Sequence, residues 1–596
     1  MNRWTLGRRR FLVAAGLGSG AALAGCGGSP RDPALDPDAA RVGEGDAGAQ
    51  LDAPSSYDAP SAHDAPAPSR GLNILLVTCD QMRHPSMMPA SVSLPALEGL
   101  ASRGVTFAKH QITAAPCTPS RAAIYTGQHA PRTGMIDNIN FPFIRSLSPS
   151  TPTLGHALRA AGYHTAYKGK WHLSEIDDTG CRVTPTTDAL EPYGFADYND
   201  CGDVHGIPQS GLRDDGDTAS AAARWLRERA PGLDRPWFLS VNFVNPHDVM
   251  FIDTDGTLGP DSRTQRSQAG VPLLAVPRTG VYADRHAITL PSTLTQGFSG
   301  RPAAHAELER IYAYTFGEIP TARDDLWRTY LEYYVNCQRD VDAHVSTVLD
   351  ALAATGQLDR TIVVYTADHG ELGGAHGSRQ KGCFVYRENL HVPLVVAHPD
   401  VRGPSTVLSV TSVLDLPTTI LGLAGVSEAD RRALQPQMRG HDLSTLLARP
   451  SDPGPRAATG ALFTYDALST VDAEFAIANA SGLANPFGDP CIVGVPDTSK
   501  RGFLRGIYDG RYRFARYFAP DTYNRPASFE ALVRDNDLEL YDTELDPEER
   551  TNLASPELRE AHRDAIEAMR AKLETLLDAE LDADDHYVPP TFEPCG

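Results

Sequence analysis

YLEYYVNCQRDVDAHVSTVLDALAATGQLDRTIVVYTADHG, residues Tyr330–Gly370, changes its periodicity once and ends on charge. In its first half apolar residues return at helical spacing, which predicts a long amphipathic helix. Gly356 supplies a turn. From Thr361 the run is almost continuously apolar, the pattern of a strand buried on both faces of a parallel sheet. It stops at Asp368-His369-Gly370. Helix, glycine turn, doubly buried strand and polar end make up part of a βαβ unit, and the fold class depends on whether the pattern repeats.

It repeats on both sides. GLNILLVTCD (Gly71–Asp80) is an apolar run closed by an acid, and SLPALEGLASRG, from Ser93, reads as a helix ended by Gly104. TPTLGHALRAAGYHTAYKGKW predicts a helix to about Gly162 and then a strand, and RPWFLSVNFVNPHD is a further apolar strand with a polar end. The expected fold is therefore α/β, a doubly wound and mainly parallel sheet. Composition shifts to Pro and Gly near Leu447–Gly460, which divides a larger α/β domain at 71–450 from a C-terminal α+β subdomain at 451–596. The subdomain carries a hairpin signal at Asp509-Gly510, hence a small antiparallel sheet, and a charged helix from Ser555 to about Ala579. Residues from about 249 to 320 show little periodicity and are expected to form a long insertion at the mouth of the site.

The first seventy residues carry no such pattern. Arg8, Arg9 and Arg10 precede a short apolar stretch from Phe11, as in a twin-arginine secretory signal, and LAGC ends on Cys26 like a bacterial lipobox. Residues 1–26 are thus expected to be a lipoprotein signal with Cys26 lipidated, and 27–70, rich in Ala, Pro and Asp, a disordered tether. The expected location is an exported protein anchored in a membrane and facing the periplasm or cell surface. A net charge of −21 argues against nucleic acid as a partner. Among the nine cysteines, Cys181 and Cys201 are the most local candidate pair, and Cys79, in an apolar strand, reads as a buried thiol.

Ligands of open α/β sheets bind at the carboxyl ends of strands. Here those ends present Asp80-Gln81, Lys168 to His172, Asn245-Pro246-His247-Asp248 and Asp368-His369. Asp80, Gln81, Asp368 and His369 could hold a divalent cation, Ca²⁺ or Mg²⁺ by their oxygens, with Mn²⁺ open through the imidazole. Arg121, Lys170, His172, His247 and Lys381 would add positive charge and proton-transfer groups, a combination suited to a tetrahedral oxyanion. Cys117 lies in APCTPSRAAIYTG, where Pro119 fits the first turn of a helix and leaves the cysteine at its N-terminus.

CTPSR with its closing TG resembles the Cys-x-Pro-Ser-Arg signature of type I sulfatases, in the alkaline-phosphatase-like superfamily. GYHTAYKGKWH, FVNPHD, YTADHGELGGAHG and ELYDTELDPEERTNLA resemble further motifs of that family, in its order, over roughly Leu72 to Ala554. The resemblance implies that a formylglycine-generating maturation enzyme oxidises Cys117 to Cα-formylglycine, whose hydrate attacks sulfur and then eliminates sulfate. It further implies metal ligation by Asp80, Gln81, Asp368, His369 and the modified Cys117, the metal being Ca²⁺ first and Mn²⁺ or Mg²⁺ otherwise. Arg121 would hold the formylglycine, Lys170 bind sulfate and His172 act as base. His247 and Lys381 would contact sulfate and protonate the leaving oxygen. Asn138 is a looser substrate-binding candidate, while Lys168 and His376 could equally be bystanders. The partner implied is a sulfated small molecule or saccharide. Gln81 and His369 depart from the Asp and Asn of many sulfatases toward choline sulfatases and phosphonate monoester hydrolases. A phosphodiesterase or phosphonate hydrolase is therefore the second reading, although the Lys170 and His172 pair favours sulfate. A non-catalytic lipoprotein binding a sulfated ligand is the third.

Overall fold

A computed structural model describes residues 71–582, apart from 142–143, 256–266, 270 and 480–493. The expected signal, the tether, Cys26, Cys491 and Cys595 lie outside the described residues. Among the described residues no helix is long and apolar enough to cross a membrane.

Among the described residues the strands are, in chain order, β1 (Asn73–Cys79), β2 (Val105–Gln111), β3 (His164–Gly169), β4 (Trp237–Phe243), β5 (Ile252–Asp253), β6 (Leu274–Ala275), β7 (Thr361–Ala367), β8 (Leu394–Ala397), β9 (Ser405–Ser412), β10 (Ala461–Tyr465), β11 (Phe503–Tyr508), β12 (Tyr512–Phe518) and β13 (Asp537–Asp542). Seven form the main sheet in the order β3-β4-β1-β7-β8-β2-β9. All its pairings are parallel except those of β8, which runs antiparallel to both neighbours. Every residue of β1, β4 and β7 is buried, as their largely apolar runs require of strands covered on both faces. The helices Pro95–Arg103, Ser210–Glu228 and Asp324–Ala354 pack as one group, and Cys117–Thr126, Leu154–Ala160 and Asp415–Leu423 as another. Register pairs Cys79 with Phe243 and with Ala367, and Gly169 with Asn242, so four strands end along one edge.

The second sheet, β10-β11-β12-β13, is wholly antiparallel, and Gly510, with φ +105°, makes the turn of its central hairpin. Strand alternation gives it two apolar faces. Phe463, Tyr465, Leu504, Ala515 and Tyr517 join the core of the main sheet, while Leu462, Ile507, Phe514 and Leu540 pack against Ile566, Met569, Leu573 and Leu577 of the helix Arg563–Leu581. That helix begins eight residues later than its sequence suggests. Ala554 is drawn into the small-sheet core and the chain then turns, so Ser555 opens a turn instead of a helix. The weakly periodic insertion also holds a 14-residue helix, Ala303–Phe316. Its stripe is broken by His305, buried with its Nε2 3.1 Å from the Tyr517 hydroxyl, which hides the helical period. Cys181 and Cys201 are joined as a disulfide, and Cys79, Cys117, Cys337 and Cys383 are buried free thiols.

A buried ion network ties the last helix to the main body. Arg456 donates to both Asp415 oxygens at 2.8 Å and to Glu580 at 2.6 Å, and the second Glu580 oxygen lies 2.6 Å from His129 Nε2. Burial opposes the Glu580 charge, but Arg456 and His129 outweigh it and bring this carboxyl from 4.5 down to about 2. Glu580→Ala is expected to destabilise the fold by about 3–5 kcal/mol at neutral pH, because it takes from the buried Arg456 one of its two carboxylate partners. A depressed carboxyl contributes fully above its unfolded value and less as pH falls toward its folded one. The difference between variant and wild type in urea melts should therefore shrink between pH 4.5 and pH 2.

Candidate active site

The helix Cys117–Thr126 is the part of the site on which the others converge, and all ten of its residues are buried. Cys117 is its first residue and Pro119 lies in its first turn. Its next free N–H, on Thr118, donates to Asn138 Oδ1 at 3.1 Å, and the Thr118 hydroxyl donates to the His172 carbonyl at 2.8 Å. Asn138 thus caps the helix beside Cys117. Ser120 Oγ donates to the Asp368 carbonyl at 2.5 Å, which pins the helix to the end of β7.

Across from it stand the strand ends. One ligand atom from each of Asp80, Cys117, Asp368 and His369 lies within 4.8 Å of every other, and all four residues are buried. Cys117 Sγ is 3.1 Å from His369 Nε2 and 3.6 Å from Asp80 Oδ1. Gln81, with φ +68°, turns the chain after β1 so that its backbone N–H donates to Asp368 Oδ1 at 3.1 Å. Its side chain is shared: Oε1 accepts from Lys381 Nζ at 2.6 Å and Nε2 donates to Glu371 at 2.5 Å. The long helix braces this end with two tyrosines one turn apart, Tyr330 donating to Glu371 and Tyr334 to the Gln81 carbonyl.

Cations dominate the surroundings. Lys170 Nζ lies 2.5 Å from Asp80 Oδ2. Burial would raise the Asp80 carboxyl, but Lys170 above all, with His369 and Lys381, holds it well below the ordinary range. Burial and Asp80 push the Cys117 thiol up; Lys170, Lys381 and His369 outweigh them and lower it. Burial, reinforced by Lys381 at His247 and by Lys170 and His205 at His172, keeps both imidazoles well below their usual value, hence neutral. Arg121 spends most of its donors on its own scaffold, the carbonyls of Trp171 and Lys170, the Tyr167 hydroxyl and Asn242. Its Nη1 stands 3.6 Å from Asp368 Oδ2.

Two of the sequence candidates sit elsewhere. Lys168 donates to the Tyr198 carbonyl at 2.8 Å, and His376 stacks on Tyr386, ring centroids 3.6 Å apart, with Nδ1 3.1 Å from Gln296. The insertion does reach the site: Met250 Sδ accepts from Lys381 at 3.2 Å and Phe251 lies 5.7 Å from the His247 ring. Three contributors were not foreseen. Glu371 anchors Gln81, Asn140 Oδ1 lies 2.6 Å from His172 Nε2, and Asp203 accepts from the backbone of Trp171 and His172. Glu371 lies within YTADHGELGGAHG and could have been noticed there; Asn140 and Asp203 come from loops with no pattern.

The profile of the Sulfatase family matches residues 72–426, more than half of the chain and every strand end just described. The chain belongs to the sulfatase family. It is 27% identical over 375 residues to arylsulfatase K of Danio rerio, covering 60% of this chain and 64% of that protein. It is 27% identical over 381 residues to a choline-sulfatase of Rhizobium meliloti, covering 60% and 68%. Among solved structures, a 2-O GAG sulfatase superposes with a TM-score of 0.59 at 20% identity, over 88% of this chain and 98% of that one. A phosphonate monoester hydrolase from Silicibacter pomeroyi does so with a TM-score of 0.56 at 21% identity, over 86% and 96%. These place the fold as alkaline-phosphatase-like, the doubly wound and mainly parallel architecture with a smaller antiparallel sheet.

Proposed function

We propose that this sulfatase-family chain is a sulfuric ester hydrolase acting on a sulfated saccharide or other small sulfate ester. The observation that carries the reading is the place of Cys117: first residue of a buried helix, touching Asp80 and His369, with Lys170 and Lys381 lowering its thiol. Family membership, the names of the relatives and the fold of the 2-O GAG sulfatase support the choice of sulfate ester over other oxyanions.

The donor set fits a divalent cation. Asp80 and Asp368 are buried carboxylates facing one imidazole, and Asp368 Oδ2 has no hydrogen-bond partner among the described residues. Asp80, Asp368 and His369, with Gln81 and residue 117 beside them, would hold the ion; Ca²⁺ is our first choice, and Mn²⁺ or Mg²⁺ would also suit these oxygens. Bound there it would supply Lewis-acid polarisation of the ester oxygens. Formylglycine made from Cys117 would supply a hydrated nucleophile. Lys170 and Lys381 would take the charge of the sulfate oxygens, and a neutral His247 would donate its N–H toward the leaving oxygen. His172, also neutral, is placed to accept a proton. Arg121 acts through the backbone it holds, orienting Lys170 and the helix of Cys117.

Peptide mass spectrometry on Cys117, in protein from its native host, tests the premise. Conversion to the aldehyde, followed by turnover of 2-O-sulfated uronates, choline sulfate or an aryl sulfate, would bear the reading out. A plain thiol in active-site peptide would move the weight to a binding protein without catalysis. The pair Gln81 and His369, where many sulfatases have Asp and Asn, sustains the second reading, so a phosphonate monoester and a phosphodiester belong in the same panel. Export and anchoring through Cys26 remain our proposal from the N-terminal motifs; Cys26→Ser should move the protein from the membrane to the soluble fraction of the cell, and unchanged membrane retention would refute it.

A further inference from the structure

His172 has φ +56°, a left-handed conformation that a residue with a side chain keeps only when its surroundings enforce it. The enforcing group is Asp203. Its Oδ2 accepts from the His172 N–H at 2.7 Å, and its Oδ1 accepts from the Trp171 N–H at 2.8 Å and the Tyr198 hydroxyl at 3.0 Å. The Asp203 side chain is fully buried, so its charge depends on these donors, and two successive N–H groups on one carboxylate fix both peptide planes. His205 Nδ1 stands further off, 3.7 Å from Oδ2.

The loop that carries Asp203 is itself fastened. Asn199 exchanges two hydrogen bonds with the backbone of Gly169, at 2.8 and 2.9 Å. Thr186 Oγ1 donates to the Asn199 carbonyl and accepts from Gly202 N–H. Between these anchors, Cys201 is bonded to Cys181. Three residues after Asp203, Gly206 lies so close to His247 that a Cβ would meet its Cε1 at 2.9 Å. The same loop thus holds His172 and passes close to His247. The His172 ring completes the picture. Its Nε2 is paired with Asn140 Oδ1, an acceptor, which places the proton on Nε2. Nδ1 is buried without a hydrogen-bond partner among the described residues and keeps its lone pair.

We infer that Asp203 is a positioning residue for His172 and that the Cys181–Cys201 disulfide latches the loop delivering it. The inference rests on the sulfatase reading and assigns Asp203 to one half of that reaction, the release of sulfate. In that half His172 Nδ1 takes the proton of the free hydroxyl on residue 117. The O–H electrons become the C=O bond, and the C–O bond to sulfate breaks with its pair leaving on sulfate. Alcohol release comes earlier and needs neither the His172 proton acceptor nor Asp203.

Asp203→Asn keeps the shape but has one acceptor oxygen for the two N–H groups. With the sulfate ester found in the substrate panel, kcat is expected to fall about 30-fold while kcat/KM stays within about twofold, since only the second step slows. Protein quenched during turnover should carry sulfate on the residue-117 peptide by mass spectrometry, and thermal unfolding should stay close to wild type. Cys181→Ser/Cys201→Ser should shift the same readouts in the same direction by a smaller factor, and decides the matter if the aspartate variant fails to fold. Equal losses in kcat and kcat/KM without a sulfated peptide would show mere structural damage and overturn the inference, as would wild-type behaviour. A wild type that cleaves no sulfate ester at all overturns the underlying reading together with it, a result distinct from either.

Discussion

Cys117→Ser is expected to lose multiple turnover of every sulfate ester by about 10⁴-fold or more, since it replaces the group on which the covalent chemistry is built. The fold should be spared. Serine is nearly the size of cysteine, the helix keeps Pro119 in its first turn, and Asn138 still caps the Thr118 N–H. The failure would be chemical. A serine hydroxyl sits among the same cations, so attack on sulfur stays open, but one hydroxyl gives an ester with no second O–H through which to expel sulfate. The variant should therefore bind sulfate covalently once and stop. Intact-mass measurement after exposure to substrate, beside the wild type, checks both halves of this statement. A serine variant that turned over at wild-type rates would remove formylglycine from the account.

Asp80→Asn should cost nearly as much, about 10³-fold in kcat/KM. Asp80 faces Lys170 at 2.5 Å, His369 at 3.5 Å and Cys117 at 3.6 Å. Removing its charge leaves Lys170 buried without a counter-ion and takes one of two carboxylates from the cation site. Metal analysis of purified protein should fall from about one divalent ion per chain in the wild type to well below that in the variant. EDTA treatment of the wild type should reproduce the loss, and Ca²⁺ should restore it better than Mg²⁺ or Mn²⁺. Full metal occupancy in Asp80→Asn would show that the ion is held elsewhere.

Much of this site was legible because its parts stand where a readable pattern stops. The runs ending at Asp80, His247 and Asp368 are unmistakable as buried strands, and strand ends on one edge of a parallel sheet are neighbours by construction. Lys168 and Lys170 show the limit. Two residues apart on a strand, they should share a face. Gly169 ends that expectation: its φ of +88° swings the chain, and any Cβ there would lie 1.9 Å from the Asn242 carbonyl. Lys170 consequently turns in to Asp80, and Lys168 points to Tyr198. His376 stands apart for another reason. It follows the DHG motif closely in sequence, yet its own φ of +55° and its stacking on Tyr386 hold it against the small-sheet side.

What the amino-acid sequence determined by itself is what periodicity and local chemistry encode: doubly buried strands, the helix that begins at Cys117, the charged ends of the strands and the family they resemble. Burial drives these locally, because an apolar run must be covered wherever it lies. What only the tertiary structure decided is which polar groups complete the site. Glu371 behind Gln81, Asn140 on His172 and Asp203 under the Trp171–His172 backbone act through a few hydrogen bonds between separate segments. Such bonds have direction and distance but no period, so they exist for the reader only once the chain has folded and brought donor to acceptor.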